Sequence, residues 1–271
     1  MKLNLSVQEI NKKIAIDFVQ KNHYSPVMPT LTKHYLGFFV DASLVGVLTL
    51  GWGTQPRQTI NKMFRGLGSQ DYYEIGKMCM LQEMPKNSES QLLSLTIRWL
   101  KTNHPEKLFL YTMADGIMGK CGYIYQASNF LYGGSYLTQV YMMDNGEKLH
   151  PRSTKSILIE NAKFKNKSKL FWMTSDFMEL KNIKFIEGLM FRYIFPLNKK
   201  AKKLIVTGSS FTWTKNYPKN NSLKWYDKTV RPKKEISQPP FTFENIIYNR
   251  KNVKPTLNSD NMLSQFLETT T

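Results

Sequence analysis

Residues 108–130 read LFLYTMADGIMGKCGYIYQASNF, and the reading of the whole chain turns on this stretch. Leu108 to Ala114 form a short apolar run, the composition of a central strand covered on both faces. The run stops at Asp115-Gly116, and ligands of open α/β sheets gather just outside the carboxyl ends of such strands. Asp115 is therefore either a site carboxylate or a turn and N-cap residue ahead of Gly116. Residues 119–130 read as helical through their middle. There Tyr125 is either packed with a satisfied hydroxyl or a proton donor at a cleft. Gly133-Gly134 reads as the break that ends this helix.

Working outward, YYEIGKMCML (72–81) and SYLTQVYMM (135–143) read as strands, the second closed by the turn Asp144-Asn145-Gly146. HYLGFFV (34–40) and SLVGVLTLGW (43–52) read as a hairpin across Asp41-Ala42, being rich in β-branched and aromatic residues. Residues 7–20 read as a helix on the recurrence of Ile10, Ile14 and Phe18, with Ser6 as N-cap and Glu9 completing a capping box. Residues 53–71 read as an exposed loop. QLLSLTIRWLKTN (91–103) reads as a helix capped by Asn87 or Ser88. GLMFRYIFPL (188–197) reads as a strand. Residues 155–169 are either an amphipathic helix or a solvated charge run, NKKAKKL (198–204) is a basic cluster, and the last 17 residues read as a polar tail. This is an α+β layout around a mixed sheet, and its order matches the GNAT acyltransferase fold.

The 271 residues carry 38 Lys plus Arg against 20 Asp plus Glu, a net charge of +18. Residues 1–150 hold +4 of it and residues 151–271 hold +14. The expected division is a catalytic domain over 1–205 and a basic, aromatic-rich, DNA-contacting extension over 206–271. A polyanion such as nucleic acid is the partner that this asymmetry fits, set against a merely lysine-rich surface. No apolar run approaches the ~20 residues of a bilayer-spanning helix, and the N-terminus lacks a secretory core. Two cysteines, Cys79 and Cys121, make no disulfide framework, so a cytoplasmic setting is expected. The four histidines are too scattered to read a metal site, and the metal requirement stays open.

Three further places hold candidate chemistry. His23-Tyr24 closes the first helix, and a histidine there is either a proton acceptor or a partner of the helix dipole. The loop Pro85–Ser90 enters a helix whose N-terminus suits an anion such as a pyrophosphate, though no glycine occurs between Leu81 and Leu92. Beyond 207, Phe211, Trp213, Lys215, Tyr217 and Lys219 interleave rings with ammonium groups, a texture that fits phosphate contact and base stacking, or a small apolar subdomain with a basic surface.

Taken together, His23-Tyr24-Ser25, YEIGKMCM, KNSES, LYTMADG, CGYIYQASNFLYGGS, LHPRS and FRYIFPLNKKAKK resemble, in collinear order over about residues 15–205, the Mom family of phage DNA-modification proteins. The most specific word is AD-G-x-x-G-x-x-GYIYQASNFLY-G. The resemblance implies a GNAT-like fold and an enzyme that converts the exocyclic N6 of adenine in duplex DNA to a carbamoylmethyl derivative, with the base flipped into the site and restriction evaded. It implies catalytic roles for His23, Tyr24, Asp115 and Tyr125: His23 takes the amine proton, Asp115 orients the adenine edge and Tyr125 protonates the leaving group. Lys77, Asn87, Ser88 and Ser90 are expected to hold the donor, acetyl-CoA or a related molecule. Lys77 stands where the family more often has arginine, which keeps the charge but loses bidentate geometry. Arg192, Lys199, Lys200, Lys202, Lys203, Trp213, Lys215, Tyr217 and Lys219 are expected to contact DNA, with Phe191 in place of a histidine the family carries before Arg192-Tyr193. The rival readings are a GNAT N-acyltransferase for a small molecule or protein, and a non-catalytic DNA-binding anti-defence protein.

Overall fold

The computed structural model describes residues 4–53, 56–242, 244 and 246. The elements run β1 (Leu5–Glu9), α1 (Lys12–Asn22), β2 (Leu31–Val40), β3 (Ser43–Trp52), α2 (Pro56–Met63), β4 (Tyr72–Met80), α3 (Ser88–Asn103), β5 (Phe109–Asp115), α4 (Tyr123–Ala127), β6 (Leu131–Met142), β7 (Lys148–Leu149), α5 (Lys155–Phe164), α6 (Ser175–Leu180), β8 (Lys184–Pro196), α7 (Lys199–Thr207), β9 (Trp225–Asp227) and β10 (Lys234–Ile236). Among the described residues the strands make one mixed sheet in the order β1-β2-β3-β4-β5-β8-β6-β7, with β9 beside β8 and β10 beside β9. The α+β class and the expected order of helix, hairpin, strand, helix and strand are both present.

Alternating residues send neighbouring strands' side chains to opposite faces. Phe38, Leu48, Tyr73, Leu110 and Tyr193 pack with Leu92, Leu93, Ile97 and Leu100 of α3 on one face. Their sequence neighbours Phe39 and Val47 pack under Ala15, Phe18 and Val19 of α1 on the other. That second face also carries α2 and α7, whose Ile60, Met63 and Ala201 cover Tyr72, Phe109, Tyr111 and Ile194.

Four readings of the sequence are corrected. The helix expected over 7–20 starts at Lys12, because Leu5–Glu9 adds a strand to the edge of β2 and the Ile10 N–H is bound by the Tyr35 carbonyl at 2.8 Å. Ser6 and Glu9 are thus strand residues, and Asn11 caps α1 by accepting from the Lys13 N–H at 2.8 Å. The expected loop 53–71 contains α2, opened by a proline in its first turn, with Ile60 and Met63 buried. Gly133-Gly134 do not end a helix; they sit inside β6, where the register against β8 slips between Tyr132 and Ser135. A side chain at Gly133 would lie 2.2 Å from the Trp213 ring that covers it. Residues 198–204 are not a bare charge cluster but the start of α7, and residues 155–164 are the helix of the two alternatives left open.

The stretch after α7 packs on the sheet. Tyr217 donates its hydroxyl to the Phe130 carbonyl at 2.8 Å, Trp225 donates its indole N–H to the Gly116 carbonyl at 2.6 Å, and Phe241 is buried against Ile117. The polar tail expected for residues 255–271 lies outside the described residues.

Candidate active site at the parting of two strands

β4 and β5 are parallel and stay in register only from Tyr72 opposite Phe109 to Glu74 opposite Tyr111. Both strands run on, so they part beyond that pair and open a wedge in the middle of the sheet. A bulge sharpens the parting. Thr49 of β3 faces Lys77 and Leu50 faces Ile75, which leaves Gly76 as an extra residue in β4. The Lys77 N–H leaves the strand ladder for the Thr49 hydroxyl at 2.9 Å. Beyond the bulge Met78 packs on the α3 face and Cys79 on the α1 face, reversing the parity set by Tyr73 and Ile75. One extra residue therefore re-aims Lys77.

A cleft of about 410 Å³ occupies the wedge, lined by His23, Tyr24, Lys77, Glu89, Asp115, Lys120 and Tyr125 among others. Asp115 is held at both oxygens: Oδ1 accepts from the Ile117 N–H at 3.0 Å, capping a single 3-10 turn, and Oδ2 pairs with Lys148 of β7 at 2.8 Å. Asp115 is thus the turn cap of the two readings left open by the sequence, and the same side chain lines the cleft. The Lys77 ammonium donates to the Ser25 carbonyl at 3.0 Å. Burial lowers its pKa to about 8, with Lys148 pushing the same way and Cys79 and Asp115 opposing. Burial also lowers Lys120 to about 8 against the pull of Asp115 and Glu89. These are cations held out of water and ready for an anionic ligand.

His23 follows the end of α1, and its ring stacks on Tyr24 with centroids 4.3 Å apart. The Ser25 N–H donates to its Nδ1 at 2.9 Å. That donor fixes the tautomer: Nδ1 is the acceptor, so the neutral ring carries its hydrogen on Nε2. The Ser25 carbonyl, which also approaches Nδ1, is already taken by Lys77. Burial, Lys77 and Lys120 together push the His23 pKa down to about 3. His23 therefore presents an N–H to the cleft rather than a lone pair, which makes it a poor proton acceptor. In an NMR titration the His23 ring should stay in the Nε2–H form from pH 8 to about pH 4. Since the unfolded ring takes a proton near pH 6.5 and the folded one near 3, His23 costs the fold stability as pH falls through that window. A ring titrating near 6.5 would contradict this assignment.

Tyr125 lines the cleft from α4 and shares a hydrogen bond with Thr112, and burial raises its pKa. Its hydroxyl stays protonated at neutral pH. Asn87, Ser88 and Ser90 are not among the lining residues of this cleft. Asn87 takes the left-handed backbone at φ 72° ahead of α3 without a side-chain cap. The Ser88 N–H and hydroxyl both go to the Pro85 carbonyl, at 3.1 and 2.6 Å. Glu89, in the first turn of α3, lines the cleft instead. Ser88 thus spends both its donors on Pro85, and the Glu89 carboxylate beside it faces the cleft, an arrangement less suited to a diphosphate than an open helix start.

On the α2 and α7 face a second cleft of about 590 Å³ is lined by Lys62, Glu74, Tyr111, Tyr136, Lys148, Arg192 and Phe211, and Met113 and Asp115 line both clefts. Arg192 lies over the Tyr136 ring at 4.5 Å and the Phe211 ring at 5.1 Å. Lys199, Lys200, Lys202 and Lys203 stand exposed on α7, and Lys215 and Lys219 are exposed beyond it. Trp213 and Tyr217 are spent on packing: the indole of Trp213 covers Gly133 and donates to the Ser209 hydroxyl at 2.7 Å. Among the described residues the most exposed rings are Phe171 and Trp172, 72% and 62% accessible, ahead of Tyr123 and Phe164; neither of the two stood out in the sequence. Asn161, fully buried, holds their loop by donating to the Trp172 carbonyl at 2.9 Å, and Lys169 stands 4.6 Å over the Phe171 ring. Glu74, Glu89, Lys120 and Lys148 line the clefts without having stood out in the sequence. A carboxylate inside an otherwise apolar strand was the available signal for Glu74; single lysines in a lysine-rich chain gave none.

Methylcarbamoylase mom of Escherichia phage Mu is 29% identical over 203 residues, which cover 75% of this chain and 80% of that protein. An Elizabethkingia anophelis GNAT family acetyltransferase with acetyl-CoA bound aligns at a TM-score of 0.40 and 12% identity, over 72% of this chain and 99% of its own. An N-acetyltransferase from Staphylococcus aureus Mu50 aligns at 0.38 and 14%, over the same shares. Residues 4–219 match the model of the Mom protein family, a span that includes both clefts and α7. The chain belongs to the Mom protein family.

Proposed function

We propose that this protein is a phage DNA-modification enzyme that converts the exocyclic N6 of adenine in duplex DNA to a carbamoylmethyl derivative and so shields the DNA from host restriction enzymes. The observation that carries the reading is convergence. His23, Tyr24, Lys77, Asp115 and Tyr125, scattered along the chain and carried over from the family's words, line one cleft. Family membership and the methylcarbamoylase name of the phage Mu relative support the same chemistry.

The adenine amine is a weak nucleophile, because its lone pair is conjugated with the ring. An enzyme must therefore hold an activated donor against it and remove its proton as the new bond forms. Lys77 and Lys120 are the groups that hold the donor, by a carboxylate or phosphate, and Tyr125 with its protonated hydroxyl is placed to supply a proton to the leaving group. A small anionic donor suits this cleft better than acetyl-CoA, given the start of α3. A stacked adenine cannot reach either cleft, so the base leaves the helix at a cost of a few kcal/mol, roughly. The lysines of α7 with Lys215 and Lys219 grip phosphate, and Phe171 and Trp172 provide the rings for unstacked bases that Trp213 and Tyr217 do not.

Nucleoside mass spectrometry of DNA from cells expressing the chain tests the proposal. A new deoxyadenosine derivative heavier by the carbamoylmethyl group is expected.

A further inference from the structure

We propose that the target adenine is received by the second cleft, against Tyr111, Tyr136 and Arg192, and that the Glu74 carboxylate accepts the proton its exocyclic amine gives up. This assignment rests on the adenine-modifying reading above and deepens it by giving acceptor and donor separate sites.

The charge on the surface favours this cleft for the base. The exposed lysines of α7 and the Lys62 side chain of α2 lie on the face where the second cleft opens. A duplex drawn to that face delivers a flipped base to this mouth and not to the α3 face. The cleft, at about 590 Å³, falls in the range of sites for molecules of nucleoside size. Its wall offers a guanidinium plane laid over two rings, the surface on which proteins stack extruded bases.

Glu74 is placed for the chemistry. It belongs to the last registered pair of the parting strands, opposite Tyr111, and lines the second cleft, which shares Met113 and Asp115 with the first. Its carboxylate accepts from the Gly53 N–H, and among the described residues no cation stands within ion-pair distance. Asp115 differs, with both oxygens committed, and His23 has its lone pair engaged. Burial raises the Glu74 pKa to about 7 against the Gly53 hydrogen bond. A base near neutrality is the useful one for an amine that becomes acidic only as it reacts. A carboxylate also welcomes the N6 amine of adenine and repels the O6 of guanine, which selects the base.

The N6 lone pair forms a bond to the activated carbon of a two-carbon donor held in the first cleft. The bond from that carbon to an anionic leaving group breaks, and its electron pair departs with that group toward Lys77 and Lys120. The N6 proton passes to Glu74.

The full-length protein and its Glu74→Gln, Glu74→Asp and Arg192→Ala variants are compared by two readouts. One is the modified deoxyadenosine in DNA of expressing cells; the other is the fluorescence rise of a duplex carrying 2-aminopurine at several adenine positions. Glu74→Gln should keep the melting temperature and the fluorescence rise yet lose the adduct by about 100-fold or more, with partial recovery in Glu74→Asp. Arg192→Ala should lose the fluorescence rise. Wild-type adduct levels in Glu74→Gln overturn the proton transfer, as does joint loss of adduct and fluorescence rise, which would make Glu74 a pocket-shaping residue. An unchanged fluorescence rise in Arg192→Ala overturns the pocket. If the wild type itself gives no adduct, the adenine-modifying reading fails, and the fluorescence arm still reports on the pocket.

Discussion

Replacing Asp115 by asparagine should reduce the adenine adduct by about 100-fold or more while the chain remains folded. The substitution separates the two jobs of this side chain. Asparagine can still accept from the Ile117 N–H, so the cap of the turn survives. What is lost is the charge opposite Lys148, whose side chain is 10% exposed beside an aspartate 20% exposed. Removing one member of such a sheltered pair costs about 1–3 kcal/mol, less than the fully buried case because the amide still offers an acceptor. The freed ammonium changes the field beside Asp115, which with Met113 lines both clefts. Adduct formation measured below the melting temperature checks this, and a variant as active as the wild type would remove Asp115 from the chemistry.

The second large effect concerns DNA. Changing Lys199, Lys200, Lys202 and Lys203 to glutamine together should weaken duplex binding by about 100-fold near 0.1 M salt and flatten the salt dependence by about 3–4 in log–log slope. These four lysines crowd the first turns of α7, where the helix dipole disfavours positive charge and no acidic residue offsets it. They do not stabilise the helix, so neutralising them should leave its melting unchanged or raise it. Asn198, which caps α7 by accepting from the Ala201 N–H at 2.9 Å, is untouched. Alanine at both Phe171 and Trp172 should add roughly a tenfold loss of affinity, with little change in melting, because both rings are exposed. Unaltered affinity and slope in the lysine variant would reduce the basic surface to mere composition.

Local signals carried much of the fold into view. The hairpin of β2 and β3 was readable because its strands are β-branched and aromatic on either side of a two-residue turn. β5 was readable because an apolar run ends abruptly at Asp115-Gly116. Leu5–Glu9 was not, since its pairing depends on the open edge of β2 and the same stretch runs into a helical period. α2 hid because a polar segment anchors itself through the buried Ile60 and Met63. The site divides along the same line. His23, Tyr24, Lys77, Asp115 and Tyr125 came together from words in the chain. The loop serines did not, because Ser88 closes its own turn on Pro85. Lys120 and Lys148 gain their meaning only from burial, and Lys77 owes its aim to the bulge at Gly76. Aromatics beside lysines look alike in sequence whether packed, as Trp213 and Tyr217 are, or exposed, as Phe171 and Trp172 are.

The most direct measurement of the central claim is the nucleoside content of duplex DNA from cells that express the wild-type chain, digested and resolved by mass spectrometry beside DNA from cells expressing Asp115→Asn. The account predicts a deoxyadenosine carrying a carbamoylmethyl group on N6 in the first sample and its near absence in the second. Unmodified deoxyadenosine throughout the wild-type sample, from cells in which the folded protein is abundant and bound to DNA, would contradict it.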